Sequence, residues 1–377
     1  MAKEQLNTSF SIKTTHPGVV LSAILEQKGI SQRDLADAIG KATPIINDII
    51  KGKRNINAEL AVLFEASIGE LSAQDWMSIQ SLYDIECLQE ESRIIKQKEQ
   101  IDTWNKLREI INISKLKKKA NIKGGIGESI QTVFSYAGVP DIAGLEKKVK
   151  GYLSCFKKSE TVKTDPKNLL TWVIIARHIS KEQDILPQKY DNSNLETLID
   201  SLNAILYKNV NMYQELKSVL NRHGIKFVIE EKLDKVPVDG YSFWDGDNPT
   251  IVMTRRYDRI DNFGFTLMHE LGHICLHLKG DKSADYLETD QSTTEREGIE
   301  AEANDFASKS LLRDMPYKGL FSRIQQPYAA ANYLMAMSNN YSVNVGIIIG
   351  QYHHYLKEKG WDNPYSVCRN LIQKVNL

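Results

Sequence analysis

The sequence has few cysteines and no long apolar run. None of the cysteines forms a CxxC pair, which excludes a zinc ribbon and a disulfide-stabilised scaffold. They are Cys87, Cys155, Cys275 and Cys368. Apolar runs such as VGIII at 345–349 are too short for a bilayer, and the opening MAKEQLNTSFSIKTT lacks the apolar segment of a signal peptide. We therefore expect a soluble cytoplasmic protein that does not bind membranes.

The chain also has no excess of charge of either sign. Lys plus Arg and Asp plus Glu number 48 each, which excludes a protein that is basic throughout and coats nucleic acid. A length of 377 residues exceeds that of one ordinary hydrophobic core, so two or three domains are expected.

Residues 17–69 have the pattern of short helices separated by glycines. Ser31 is a candidate N-cap of a helix that ends at Gly40. Thr43 is a candidate N-cap of the next helix, with Pro44 at its first position. Two short helices joined around Gly40 predict a helix-turn-helix, with a generic helical bundle as the alternative.

These residues resemble the Xre-type helix-turn-helix of HigA-like antitoxins. The matching segments are HPGVVLSAILEQKGISQRDLADAIG, IINDIIKGKRNINAELAVLFEASIG and QSLYD, within residues 16–84. The resemblance implies that the domain binds a DNA operator as a homodimer. Residues 1–80 carry eight basic and nine acidic side chains, so positive charge must be concentrated on one face. The candidate DNA contacts are Gln32, Thr43, Asn47, Lys51, Lys53 and Arg54.

Residues 85–214 predict a helical spacer without a catalytic pattern. A basic run, SKLKKKANIK, is interpreted as the solvated face of a connecting helix, with a phosphate contact as the alternative. Beyond Gly224, IKFVIEE and TIVMTRR predict strands, and the GYSFWDGDNP between them is interpreted as turn-rich. Two or three strands are therefore expected before the helix that carries HELGH.

The segment FTLMHELGHICLH, residues 265–277, predicts a metal site on a helix. His269 and His273 are four residues apart, so both imidazoles can reach one zinc ion. Glu270 lies beside them and can act as a general base without taking a coordination position. The alternative is a buried core in which these polar side chains are satisfied by hydrogen bonds and hold no metal. His277 lies too far along the helix to share the metal, and is interpreted as a helix cap near Gly280 or a support for a metal ligand.

The third ligand is expected on the next helix, TEREGIEAEANDFASKSLL. At 100° per residue, Glu300 falls nearer the centre of its apolar stripe than Glu297 or Glu302 does. Glu302 is the alternative ligand. Four side chains are candidates for stabilising the oxyanion of the tetrahedral intermediate: Tyr241, Tyr257, His353 and His354.

The C-terminal part resembles the ImmA/IrrE metallopeptidase family, through FTLMHELGH and EAEANDFA. The resemblance implies that Glu300 is the third zinc ligand and that Asn304 supports it. We therefore expect a mostly α, multidomain chain: a helix-turn-helix domain at 1–84, a helical spacer at 85–214, and an α+β zincin-like domain at 215–377. The expected function is a DNA-binding regulator with zinc-dependent endopeptidase activity on a repressor or antitoxin. The alternative is an antitoxin or autorepressor, paired with a toxin, whose zinc domain is non-catalytic or senses a ligand.

Overall fold

The chain divides into two compact units, residues 1–102 and 103–377. The computed structural model describes residues 15–156, 164–183, 189–255, 258–278, 293–313 and 315–377. Each unit has a hydrophobic core of its own. Across the described ranges, every helix is either too short or too polar to cross a bilayer.

The first unit is a bundle of short helices. They are α1 (Pro17–Lys28), α2 (Gln32–Ala38), α3 (Thr43–Ile50), α4 (Ala58–Ile68) and α5 (Ala73–Glu90), followed by α6 (Ser92–Ile110), in which the boundary between the units falls. Ser31 caps α2 as predicted, through a reciprocal pair of hydrogen bonds with Asp34. The N-cap of α3 is Ala42, so the assignment of Thr43 as the cap is wrong by one residue. Thr43 is the first helical residue, and Pro44 the second.

The second unit combines helices with a small sheet. Its helices are α7 (Ile113–Ala120), α8 (Ile126–Ala137), α9 (Ile142–Phe156), α10 (Pro166–Lys181), α11 (Leu195–Lys208), α12 (Met212–Arg222), α13 (Ile260–Gly272), α14 (Thr293–Leu312), α15 (Tyr317–Phe321), α16 (Ala331–Tyr341) and α17 (Val345–Glu358). Its strands are β1 (Lys226–Glu230), β2 (Gly240–Asp245) and β3 (Asn248–Thr254).

The sheet has the order β1–β3–β2, with β1 parallel and β2 antiparallel to β3. The two predicted strands are β1 and β3. The segment GYSFWDGDNP, interpreted as turn-rich, supplies the third of the two or three strands expected, because its first six residues form β2. Asp245 pairs with Asn248, so the turn is confined to two residues, and Gly246 has the positive φ of 66° that such a hairpin needs.

Both faces of the sheet are buried under helices. Val228, Val252 and Phe243 share a core with Trp172 of α10. On the opposite face, Ile251 shares a core with residues of α13. The helices interpreted as a spacer, α7 to α10, therefore cover one face of the sheet; the domain boundaries at 84 and 214 stay predictions. The expected fold class, a mostly helical multidomain chain with a C-terminal α+β region, is confirmed.

Candidate metal centre

The site lies where α13 and α14 pack closely together. Gly272 makes this approach possible, because a Cβ atom there would lie 3.0 Å from Phe306 and 3.4 Å from the α-carbon of Ala303. Ala303 is fully buried. Small residues at the crossing point thus bring Glu300, one turn before Ala303, to the histidines of α13.

Three side chains converge on one point. Nε2 of His269 and Nε2 of His273 are 3.0 Å apart. The Glu300 carboxylate oxygens lie 3.3 Å from Nε2 of His269 and 3.8 Å from Nε2 of His273. Ligands at about 2.0–2.1 Å from a tetrahedral zinc ion stand roughly 3.3 Å from one another. Both the donor set and its spacing therefore fit a zinc-sized ion, and the geometry brings together the three residues that the sequence proposes as ligands.

Each histidine is also contacted at its other ring nitrogen. Nδ1 of His269 lies 3.0 Å from Oδ1 of Asn304, so Asn304, expected to support Glu300, makes its hydrogen bond with His269. Nδ1 of His273 lies 3.0 Å from Nδ1 of His277, which matches the interpretation of His277 as a support for a ligand. Burial lowers the pKa of His269, but the hydrogen bond with Glu300, the charges of Glu270 and Glu300 and the hydrogen bond with Asn304 together outweigh it and raise that pKa.

The alternative ligand, Glu302, points elsewhere. Its Oε2 lies 3.1 Å from Nε2 of His277, and 68 % of its side chain is exposed. Glu302 therefore lies behind His277, whereas Glu300 faces the converging ring nitrogens of His269 and His273.

Glu270 is buried beside the converging ligands, with an exposed fraction of 6 %. Burial raises the pKa of its carboxyl group to about 7, while the nearby His269 opposes that shift. The side chain rests against Gly240, at the start of β2. A Cβ atom on residue 240 would lie 2.5 Å from Oε1 of Glu270 and 2.6 Å from its Cγ.

The ligands and Glu270 line one cleft of about 380 Å³. Asn262, Phe265 and Thr266 of α13 also line it, at helical spacings before the HELGH residues. Gly240 and Ser242 of β2 form part of its wall. The sequence analysis missed both groups of residues. The spacing on α13 would have indicated the first, and the alternation of small and aromatic residues in GYSF the second.

The oxyanion candidates lie in different places. Tyr241 is among the residues that line the cleft, but its hydroxyl accepts hydrogen bonds from Arg177, and its side chain belongs to the core on the face of the sheet opposite α13. Nε2 of His353 donates to the carbonyl oxygen of Val367 at 2.7 Å. His353 and the exposed His354 line a second cavity of about 230 Å³, which shares Asn262 and Phe265 with the first. Tyr257 lies outside the described residues.

In the first unit, the proposed phosphate contacts are exposed after α3: Lys51, Lys53 and Arg54. Asn47 and Gln32 contact each other, because the amide of Asn47 donates to Oε1 of Gln32 at 3.2 Å. Thr43 lies half-buried at the start of α3. Lys41, which also belongs to the basic face, forms an ion pair with Glu59 at 2.6 Å, so part of its charge is neutralised.

Two family models match the chain. The helix-turn-helix model matches residues 21–76, and the IrrE N-terminal-like domain model matches residues 220–336. The second range contains His269, Glu270, His273 and Glu300.

Several known proteins are similar to part of this chain. Virulence-associated protein A' of Dichelobacter nodosus is 29 % identical over 70 residues, which are 19 % of this chain and 61 % of that protein. The match thus spans less than two thirds of that relative. PA4674 of Pseudomonas aeruginosa, solved in complex with its operator DNA, is 34 % identical, with 20 % of this chain and 82 % of that chain covered and a TM-score of 0.19.

An addiction module antidote protein of a HigA family from Coxiella burnetii is 26 % identical, with 23 % of this chain and 96 % of that chain covered and a TM-score of 0.22. The chain therefore belongs to the helix-turn-helix family through its N-terminal region and carries an IrrE N-terminal-like domain towards its C-terminus.

Proposed function

We propose that this chain is a DNA-binding regulator whose second unit is a zinc-dependent endopeptidase that cleaves a regulatory protein of the repressor or antitoxin type. One observation carries the enzymatic part. The ligand atoms of His269, His273 and Glu300 lie within 4.8 Å of one another, beside a buried carboxyl group, at the wall of a cleft. A purely structural zinc site has four protein ligands and needs no neighbouring base.

His269, His273 and Glu300 would hold the ion, and zinc, when bound, polarises a carbonyl oxygen and favours ionisation of water. Glu270 accepts a proton from the water molecule that attacks the peptide carbonyl carbon. It then delivers this proton to the amide nitrogen as the carbon–nitrogen bond breaks. The burial of Glu270 keeps bulk water away from the proton that it carries.

The substrate would bind as an extended peptide along β2. Among the described residues this strand pairs with β3 alone, so it stands at an edge of the sheet, the position at which an extended peptide can add as a further strand. Gly240 and Ser242 lie on this strand and line the cleft. A peptide hydrogen-bonded to that edge would run past Glu270, which places its carbonyl groups near the proposed ion.

The regulatory role rests on the helix-turn-helix unit. We expect it to bind an operator as a homodimer, with Lys51, Lys53 and Arg54 near phosphates. Gln32 and Asn47 would reach base edges together, since each already fixes the orientation of the other's amide. A DNA-bound peptidase acts best on a protein held at the same operon, so products of neighbouring genes are the first candidate substrates.

The test replaces the proposed base. The zinc-loaded chain is incubated with each candidate protein, and fragments are identified by mass spectrometry. Glu270→Gln should keep its zinc and its DNA binding but cleave at least roughly 100-fold more slowly, because general-base catalysis contributes about 10² to 10⁴-fold. Glu358→Gln, the same change at an exposed site on α17, is the matched control and should cleave at the wild-type rate. Equal cleavage by the Glu270→Gln variant would contradict the mechanism.

A further inference from the structure

The HELGH helix ends in a local change of helical geometry. After Gly272 the backbone continues as a π-helical turn over His273–His277, closed by a hydrogen bond from the Leu278 amide to the His273 carbonyl at 3.0 Å. The ring of His277 lies next to the ring of His273, four residues earlier, with 3.0 Å between the two Nδ1 atoms.

The proton positions along this contact follow from the metal site. If Nε2 of His273 faces the ion, its Nδ1 carries the ring proton and donates it to Nδ1 of His277. His277 then accepts at Nδ1 and must carry its own proton on Nε2. That nitrogen lies 3.1 Å from Oε2 of Glu302, an acceptor. One assignment of the ring protons therefore satisfies both of these hydrogen bonds.

We infer that His277 and Glu302 are positioning residues for the metal centre: together they fix the ring orientation and tautomer of His273, so that its Nε2 lone pair points at the ion. The inference rests on the proposed zinc site but not on peptidase activity. A free imidazole exchanges its proton between the two nitrogens, and only one tautomer binds a metal through Nε2. Partners of this kind typically change metal affinity 10- to 100-fold.

The burial of His273, His277 and Glu302 also supports these positioning roles. The side chain of His273 is 3 % exposed and that of His277 is 9 % exposed, whereas that of Glu302 is 68 % exposed. An Nδ1–H group as deeply buried as that of His273 needs an acceptor, and His277 supplies one. The carboxylate of Glu302, which accepts from His277, lies at the surface.

The test measures zinc affinity of the full chain by competition with a chromophoric chelator. His277→Leu removes the acceptor and should weaken zinc binding about 10- to 100-fold. His277→Asn places an amide oxygen where Nδ1 stood and should restore the affinity to within a few-fold of wild type. Glu302→Gln should weaken binding about threefold or more, because the neutral amide is a poorer acceptor. Asp305→Asn, an equally exposed change on the same helix, should leave the affinity unchanged.

Three results would overturn the inference. They are wild-type affinity in His277→Leu, an equal loss in His277→Asn and His277→Leu, and equal affinities in Glu302→Gln and Asp305→Asn. The last comparison decides the matter if the His277 variants do not fold, since Glu302 is on the surface. A wild-type chain that binds no zinc would refute the proposed metal centre as well, whereas unchanged affinities in variants that bind zinc refute this inference alone.

Discussion

The carboxylate of Glu270 lies directly on the α-carbon of Gly240, so close that a methyl group at position 240 would lie 2.5 Å from Oε1. The contact joins the proposed base on α13 to the edge strand of the sheet. Residue 240 therefore controls both the position of the carboxylate and the packing of β2 on the helix. The contact with Glu270 explains why position 240 has no side chain.

We predict that Gly240→Ala destabilises the second unit by about 1–3 kcal/mol, because the new methyl group also meets Cγ of Glu270, which cannot move without the helix. Urea unfolding measures the change. Zinc content should persist, since the ligands lie on α13 and α14, while any hydrolysis should fall. Gly319→Ala, in α15 where the added carbon meets nothing within 4 Å, is the control and should not destabilise the unit, since alanine favours the helix by up to about 1 kcal/mol. An equal effect of both changes would contradict the packing described here.

The sequence analysis identified the parts of this site that depend on local spacing. His269 and His273 share a helix face, and Glu300 lies towards the centre of an apolar stripe, so a period of 3.6 residues suffices to place them. The third strand could not be placed from the sequence, because the glycines and aspartates of GYSFWDGDNP are typical of turns and pairing with β3 is what makes β2 extended. The contact of His277 with His273 has the same four-residue spacing, whereas the contact of Glu302 with His277 depends on how α14 packs on α13.

A second prediction concerns Lys119, part of the basic run that was interpreted as a solvated helix face. Its ammonium group lies 2.9 and 2.8 Å from the two carboxylate oxygens of Glu230, a side chain on β1 that is 6 % exposed. Lys119→Met would leave a buried carboxylate without this partner and should lower the free energy of unfolding by about 1–3 kcal/mol. Lys118→Met, at the exposed neighbouring position, should have little effect; equal losses would assign the effect to helix α7 as a whole.

A third prediction concerns His353, which is 1 % exposed and donates to the Val367 carbonyl. Burial lowers the pKa of its imidazole below the ordinary 6.5, the nearby charge of Arg259 lowers it further, and the hydrogen bond to Val367 and the charge of Asp261 oppose this shift. The neutral ring therefore stabilises the fold above pH 6.5, and this contribution is lost as the pH falls towards the folded-state pKa.

Unfolding free energies measured between pH 7.5 and 5 should show this loss, by at most about 1.4 kcal/mol per pH unit for one group. His353→Gln keeps a donor at the place of Nε2 but does not titrate, so its stability should fall less steeply with acid. His354→Gln, at the exposed neighbour, should retain the wild-type slope. Identical slopes in the wild type and His353→Gln would contradict the prediction.

A fourth prediction concerns DNA. Lys53→Ala and Arg54→Ala should each weaken binding to a promoter duplex, and each should reduce the slope of log affinity against log salt by about one, because each removes a phosphate contact. Fluorescence anisotropy at several salt concentrations gives both quantities. Lys98→Ala, an exposed lysine on α6, is the control. If the three changes have the same effect, the face after α3 is not the one that meets the phosphates.

The most direct test of the proposed metal centre is the zinc content of purified variants at saturating zinc. We expect about one zinc per wild-type chain, its loss in His269→Ala and His273→Ala, and a strong reduction in Glu300→Gln, because the three side chains supply the ligand atoms that converge. Glu302→Gln should keep its zinc at this concentration, since Glu302 contacts His277 and not the ion. Full zinc occupancy in both His269→Ala and His273→Ala would contradict the proposed metal centre.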